Sequence, residues 1–239
     1  MSKFLKITLS ILLIFLLVSI IGIGIIVYDG YCIYKNAISE TSIDDKVKSI
    51  QSSENFVKLE DLPKIYLDAV ISVEDHRFYE HSGIDIIATC RAIFINIKSG
   101  SLEQGGSTIT QQLSKNIYFT QEKKFTRKIA ELFVSFDLEK KYSKDDILEL
   151  YVNTIFFGKG GTGIGEASEK FFNKSPKDLT DYEATFLAGI PNAPSIYSSD
   201  KNIDLARERQ KQVLDAMVKY RNLSQEQADI IYNSEEEIN

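Results

Sequence analysis

Cysteine and histidine are scarce in this chain, with two of each among 239 residues. Cys32 and Cys90 lie far apart, and one pair makes no disulfide framework. Both histidines, His76 and His81, fall in one loop, so a zinc site or a Ser-His-Asp triad has little to build on. An excess of positive charge is also missing. The formal net charge is −6, or −8 once Lys3 and Lys6 of the first 28 residues are set aside, which disfavours nucleic acid as a partner. There is no internal repeat, no low-complexity tract and no run of alternating strands. A mainly α chain remains, with at most a short extended piece near "YVNTIFFG".

What is present begins with an apolar run. From Ile7 to Tyr28 no residue is charged. At about 1.5 Å per helical residue the run spans the roughly 30 Å hydrocarbon core of a bilayer and reads as one transmembrane helix. A cleaved signal peptide needs a shorter apolar stretch and a small-x-small site, and "GIIVYDGYC" offers no convincing one. Lys3 and Lys6 before the run and Asp29 after it place residues 1–6 in the cytoplasm and everything beyond Tyr28 outside. Residues 35–60 are polar and read as a juxtamembrane stalk, assigned to 29–58, or as a loosely packed start to the domain, with 59–239 the folded domain. Cys90, in an apolar helical context, reads as a buried free thiol.

Within that domain Leu62, Ile65, Tyr66, Ala69, Val70 and Val73 recur at helical spacing, with Asp61 a candidate cap and Pro63 near the first turn. Phe125, Ile129, Leu132 and Phe136 form a second stripe. Ser143 with Asp146, and Thr180 with Glu183, have capping-box spacing, and Gly189 with Pro191 ends the latter helix. Two more helices fit 203–220 and 224–233.

The chemistry concentrates in two windows. "ISVEDHRFYEHSGID" puts Glu74 and Asp75 at the C-terminal end of the first helix, where the macrodipole disfavours a carboxylate's charge and tends to raise its pKa. That suits Glu74 as a general base; the plainer reading is a solvated helix end paired with His76 or Arg77. "QGGSTITQQLSKN" has a glycine pair before a helix start, with Ser107 and Thr108 as caps and Gln111 completing a box, a natural anion site. Lys115, Lys123, Lys124, Arg127 and Lys128 follow, unusual in so acidic a domain. They suit a pyrophosphate cradle with Glu131 as a second carboxylate, or, more plainly, a solvated face with Arg127 paired to Glu131. Two other matches carry little. "GKGGTG" lacks βαβ surroundings, and "SSDK" has no K-T-G partner.

"EDHRFYEHSGID", "GGSTITQQLSKN", "RKIAE", "KDDILELYVNTIFFG" and "LAGIPNAPSIY" together resemble the five consecutive motifs of the peptidoglycan glycosyltransferases of glycosyltransferase family 51. That family includes the N-terminal modules of bifunctional penicillin-binding proteins and stand-alone monofunctional transglycosylases, and the chain resembles the latter type. The resemblance implies a mainly α, lysozyme-like domain with a larger head and a smaller membrane-proximal jaw, preceded by one N-terminal transmembrane helix. It implies a single-pass protein of the bacterial cell membrane, with its catalytic domain extracytoplasmic.

The implied substrate is lipid II, with the growing glycan strand and the lipid bilayer as partners and cell-wall synthases or divisome proteins as further candidates. Glu74 matches the family's base, which takes a proton from the acceptor 4-hydroxyl as that oxygen attacks the donor's anomeric carbon. Undecaprenyl pyrophosphate leaves with inversion. Glu131 matches the second carboxylate. No cofactor is certain; a divalent cation, magnesium or manganese, is a candidate there. Ser107, Thr108, Gln111, Gln112, Lys115, Lys123, Arg127, Lys128 and Asn153 match substrate-binding positions. Asp75, Phe78, His81, Gly83, Gly106 and Glu149 match shaping positions, and Tyr151 belongs to the fourth motif. Phe119 and nearby apolar residues of the jaw are candidates for contact with the bilayer interface. Two departures stand out: Lys123 where some relatives have arginine, and "YSSD" in place of Tyr-x-Pro. The competing readings are a lysozyme-like hydrolase, which has no need of the basic cluster, and a silent membrane-anchored scaffold, which has no need of both glutamates.

Overall fold

The computed structural model describes residues 3–100, 105–119 and 124–234; among them are twelve α-helices and no strand. In order these are α1 (Lys3–Glu40), α2 (Ile43–Gln51), α3 (Lys64–Glu74), α4 (Ile86–Ser99), α5 (Ile109–Tyr118) and α6 (Phe125–Lys141). Then come α7 (Lys144–Val152), α8 (Ile164–Phe172), α9 (Asp181–Gly189), α10 (Pro194–Tyr197), α11 (Ile203–Lys219) and α12 (Gln225–Asn233). The extended piece expected near "YVNTIFFG" reduces to one bridge, Phe156 to Thr162. The chain is thus mainly α, with a long apolar helix at its N-terminus.

Local sequence explains most helix starts. Thr108 with Gln111, Ser143 with Asp146, and Thr180 with Glu183 form complete capping boxes, each satisfying two otherwise orphaned backbone donors. Helix α3 differs from expectation: it begins after Pro63 with no side-chain cap, and Asp61 lies in a preceding 3-10 turn. A proline there sacrifices no helical hydrogen bond. Tyr66, Ala69 and Val70 on its inner face are buried against α9 and α11, while α5 packs between α6 and α7.

Two parts of the chain depart from the sequence reading. Residues 29–58 are not a loose stalk. Helix α1 runs unbroken to Glu40, Ser42 caps α2, and Tyr34, Ile43 and Val47 are buried in the common core. Their apolar side chains recur at helical spacing among polar neighbours, which masks them in a composition average. The second departure is α4, whose one buried residue is Ala92; Ile86, Phe94 and Ile97 are 71, 68 and 77% exposed. Cys90 is accordingly exposed rather than buried, since it lies on a helix that the body hardly covers. Phe119, by contrast, packs against the core.

Of the described helices only α1 is long and apolar enough to cross a membrane, over Ile7–Glu40, 34 residues. Its C-terminal part lies along α6. A Cβ on Gly30 would fall 2.6 Å from the Ile129 side chain and 2.9 Å from the Thr126 carbonyl oxygen, so the two helices meet closely only because that side chain is missing. Gly30→Leu is expected to destabilise the fold by about 1–3 kcal/mol through overpacking. Thermal unfolding in detergent, followed by circular dichroism, should show a lowered midpoint; an unchanged midpoint would mean the helices part without cost.

Candidate active site

The end of α3 and the start of α5 meet at one buried carboxylate. Asp75, 6% exposed, accepts the Ile109 N–H at 3.1 Å, and the His81 Nε2 lies 2.9 Å from each of its oxygens. Next to it Thr108 donates its hydroxyl to the Gly83 carbonyl at 2.7 Å. Gly83 has φ +81°, a conformation that favours glycine, and its N–H donates to Glu139 at 2.9 Å. Phe78 is fully buried beneath this loop, with the Lys144 ammonium 4.4 Å from its ring centre. Asp75, Phe78, His81 and Gly83 thus hold the loop in shape.

This arrangement bears on the anion site expected at the start of α5. Three of its N–H groups are already engaged, that of Ile109 by Asp75 and those of Thr108 and Gln111 by the capping box. A carboxylate already satisfies the positive end of the helix.

Glu74 is the last residue of α3 and lines a cleft of about 390 Å³ with Gly106, Ser107, Thr108 and Gln112. Its Oε2 accepts a hydrogen bond from Gln112 Nε2 at 2.6 Å, and the Tyr151 hydroxyl donates to Gln112 Oε1 at 3.2 Å, fixing the amide. Its Oε1 is buried and, among the described residues, has no hydrogen-bond partner; the Arg209 guanidinium stands 3.8 Å away. The solvated helix end paired with His76 or Arg77 is not what forms. His76 stacks on Tyr220 with ring centres 4.0 Å apart, and Arg77 pairs with Glu80 and Asp85. Burial, with the Arg91 charge, pushes the His76 imidazole below its ordinary pKa.

The basic cluster gathers around the other glutamate. Glu131, 1% exposed, pairs with Arg127 one turn earlier and with Lys128 at 3.0 Å. Lys128 also donates to the Ser107 hydroxyl at 2.7 Å, carrying the cluster to the cleft. With both oxygens committed to cations, Glu131 does not fit a divalent metal, and no group of three His, Cys, Asp or Glu side chains that could hold one occurs among the described residues. Lys123 lies outside the described residues.

Asn153 and Glu149 are not brought to this cleft. Asn153 exchanges hydrogen bonds of 2.8 Å with both backbone groups of Val57, and Glu149 accepts the Leu59 N–H at 2.8 Å. Together they clamp the entry to α3 onto α7. The departing "YSSD" loop is shaped by Ser198, whose hydroxyl accepts the Lys159 N–H at 3.1 Å.

Sequence reasoning missed Arg91, Asn192, Arg209 and Tyr220, all of which line the cleft. Arg209 carried a signal: it lies on the stripe of α11 that also bears Ala206 and Val213, an arginine among core positions. Asn192 stands inside the fifth motif. Arg91 and Tyr220 carry no local mark.

A carboxylate with one oxygen fixed and the other free of hydrogen bonds, near half-buried cations on a helical scaffold, is equipment for group transfer to a hydroxyl. Comparison with known proteins narrows this class. A family model described as Transglycosylase matches residues 42–218, and the chain belongs to that family. Penicillin-binding protein 1A of Neisseria lactamica is 42% identical over 203 residues, 84% of this chain and 25% of that protein. Penicillin-binding protein 1F of Bacillus subtilis is 44% identical over 204 residues, 84% of this chain and 28% of that protein. A crystal structure of penicillin-binding protein 1A from Haemophilus influenzae aligns over 77% of this chain and 18% of its own, with 22% identity and a TM-score of 0.47. The chain therefore spans about a quarter of the length of the curated relatives it matches.

Lys115 yields a stability prediction. Burial, reinforced by Lys128 and Arg127 and opposed by Glu131 and Glu74, holds its ammonium below the ordinary lysine pKa. Between that lowered value and the unfolded one the unfolded chain binds more protons, so stability rises with pH through the window. Below the window the cost of burying the cation is present in full. Lys115→Met is expected to melt above wild type at neutral pH, with the gap closing as pH rises towards the ordinary lysine range. Thermal denaturation of both proteins across that range checks this; a gap independent of pH would assign the change to packing instead.

Proposed function

We propose that this chain is a membrane-anchored peptidoglycan glycosyltransferase that polymerises lipid II into glycan strands. Residues 1–6 form a cytoplasmic tail, 7–28 span the membrane, and the catalytic domain lies outside, beginning within the segment first read as a stalk. The family match from residue 42 and the packing of α2 into the core support that earlier start.

The observation that carries the mechanism is the asymmetry of Glu74. Gln112, held by Tyr151, fixes one carboxylate oxygen, while the other is buried with no hydrogen-bond partner among the described residues. A base so held keeps one oxygen unspent for the proton of the acceptor 4-hydroxyl, which reaches it once Arg209 gives way, as that hydroxyl oxygen attacks the donor's anomeric carbon. The C1–oxygen bond to undecaprenyl pyrophosphate breaks as the new glycosidic bond forms on the opposite face, so configuration inverts. The leaving pyrophosphate gains negative charge, which Lys115, Arg127 and Lys128 offset in a partly desolvated site, with the Ser107 hydroxyl beside them. Glu131 serves by keeping two of those cations in place. Arg209 stands 3.8 Å from the second oxygen of Glu74, close enough to hold the carboxylate in place. The exposed apolar face of α4 suits contact with the bilayer surface from which the lipid-linked substrate arrives.

The decisive experiment compares purified wild type with Glu74→Gln on labelled lipid II, following both polymer and released undecaprenyl pyrophosphate. The amide keeps the shape but not the basicity, so a fall of about 10²–10⁴-fold in turnover with little change in binding is expected. Polymer formation at the wild-type rate would remove Glu74 from the chemistry, and cutting of preformed strands would replace transfer by hydrolysis.

A further inference from the structure

Beside the seam of α1 and α6, away from Glu74, lies a cavity of about 590 Å³ bordered by Tyr31, Tyr34, Lys35, Phe133, Phe136 and Lys140. Its floor is aromatic: the Phe133 ring centre is 5.4 Å from those of both Tyr31 and Tyr34. Its charges are unequal. Asp137 takes the Tyr34 hydroxyl and stands 3.7 Å from the Lys140 ammonium. Glu139 is paired with Lys144 at 2.7 Å and also accepts the Thr110 hydroxyl and the Gly83 N–H. Lys35 has no ion-pair partner among the described residues; its ammonium lies 5.7 and 5.5 Å from the Tyr31 and Tyr34 ring centres. Once each pair is cancelled, one positive charge remains over an apolar floor.

The height of the cavity on α1 indicates its occupant. At about 1.5 Å per residue, Lys35 stands ~10 Å beyond Tyr28, where the uncharged run ends. Its side chain folds back over Tyr31, towards the headgroup layer, which extends about 5–7 Å past the hydrocarbon. Below Tyr31 on the same stripe, Val27 and Ile23 are 38 and 62% exposed.

We infer that this cavity holds one glycerophospholipid of the outer leaflet, its anionic headgroup on Lys35 and an acyl chain along Phe136, Val27 and Ile23. The inference rests on the reading of α1 as a membrane helix. The monoanionic phosphodiester matches the single unpaired cation, and the bound lipid would fill the seam that joins anchor to domain.

The full chain, in nanodiscs of phosphatidylcholine mixed with phosphatidylglycerol, is released into mild detergent and its retained lipid identified by native mass spectrometry. Wild type is expected to keep one phosphatidylglycerol in preference to phosphatidylcholine by about fivefold, the worth of one lysine at an anionic surface. Lys35→Glu should abolish the preference, Lys35→Gln should weaken it, and Phe136→Asp should lower retention of either lipid; Lys201→Glu, on a distant exposed turn, should change nothing. Helicity by circular dichroism verifies each fold. An unchanged preference in both Lys35 variants overturns the site, as does displacement of the lipid by equimolar undecaprenyl phosphate, which would assign the seam to the substrate's tail. Polymerisation is measured in parallel. Lys35-dependent retention without polymer leaves the site standing and the enzymatic reading fallen, polymer without lipid preference does the reverse, and a chain that fails to enter the nanodisc defeats both.

Discussion

The Asp75 carboxylate is the joint on which the cleft depends. A buried anion without partners would cost several kcal/mol, so it must be met from several directions at once. Here it is met by His81 and by the backbone at the start of α5. Those bonds fix the angle between α3 and α5, and the adjacent Glu74 and Gln112 inherit that angle. Gln112 meets Glu74 at 2.6 Å across the junction that Asp75 ties together. The base of the proposed reaction is thereby positioned by a neighbour that need not touch substrate.

The same bond has a price elsewhere in the site. With three N–H groups at the start of α5 already engaged by Asp75 and the capping box, the proposed reaction leaves the charge of its leaving group mainly to side-chain cations. These sit partly desolvated, and burial, with Lys128 and Arg127 nearby, lowers the pKa of Lys115. Glu131, itself buried, offsets the charges of Arg127 and Lys128. A cluster of this kind lowers stability in the resting state and becomes favourable when a dianionic group enters, which is what a site built for a transition state should do.

What was legible in the sequence was local. The three capping boxes, the helices near 203–220 and 224–233, and the pairing of Arg127 with Glu131 each depend on residues a turn apart, so spacing reveals them. What was hidden depended on tertiary partners. Asn153 is polar and stands in a functional motif, yet its amide is spent on Val57, 96 residues away. The α5 N-terminus looked free because Asp75, its cap, is 34 residues upstream. Cys90 and the apolar residues of α4 looked like core because pattern records an apolar face without saying what covers it.

The geometry of α6 joins these points. Residues that meet α1, among them Thr126, Ile129, Phe133 and Asp137, recur every three or four positions, and so do Arg127, Lys128, Glu131 and Ser135 on another side of the helix. One helix therefore presents the anchor contact on one face and the cation cluster on the other. On the reading of α1 as a membrane helix, the height of the cluster above the bilayer is fixed by a packed two-helix contact rather than by a tether. A lipid-linked pyrophosphate is confined to the membrane surface, so a cleft swinging on a loose stalk would meet it at varying depth. Continuation of α1 as an unbroken helix to Glu40 removes that freedom, and the absence of a side chain at Gly30 lets the two helices approach closely enough to keep it removed.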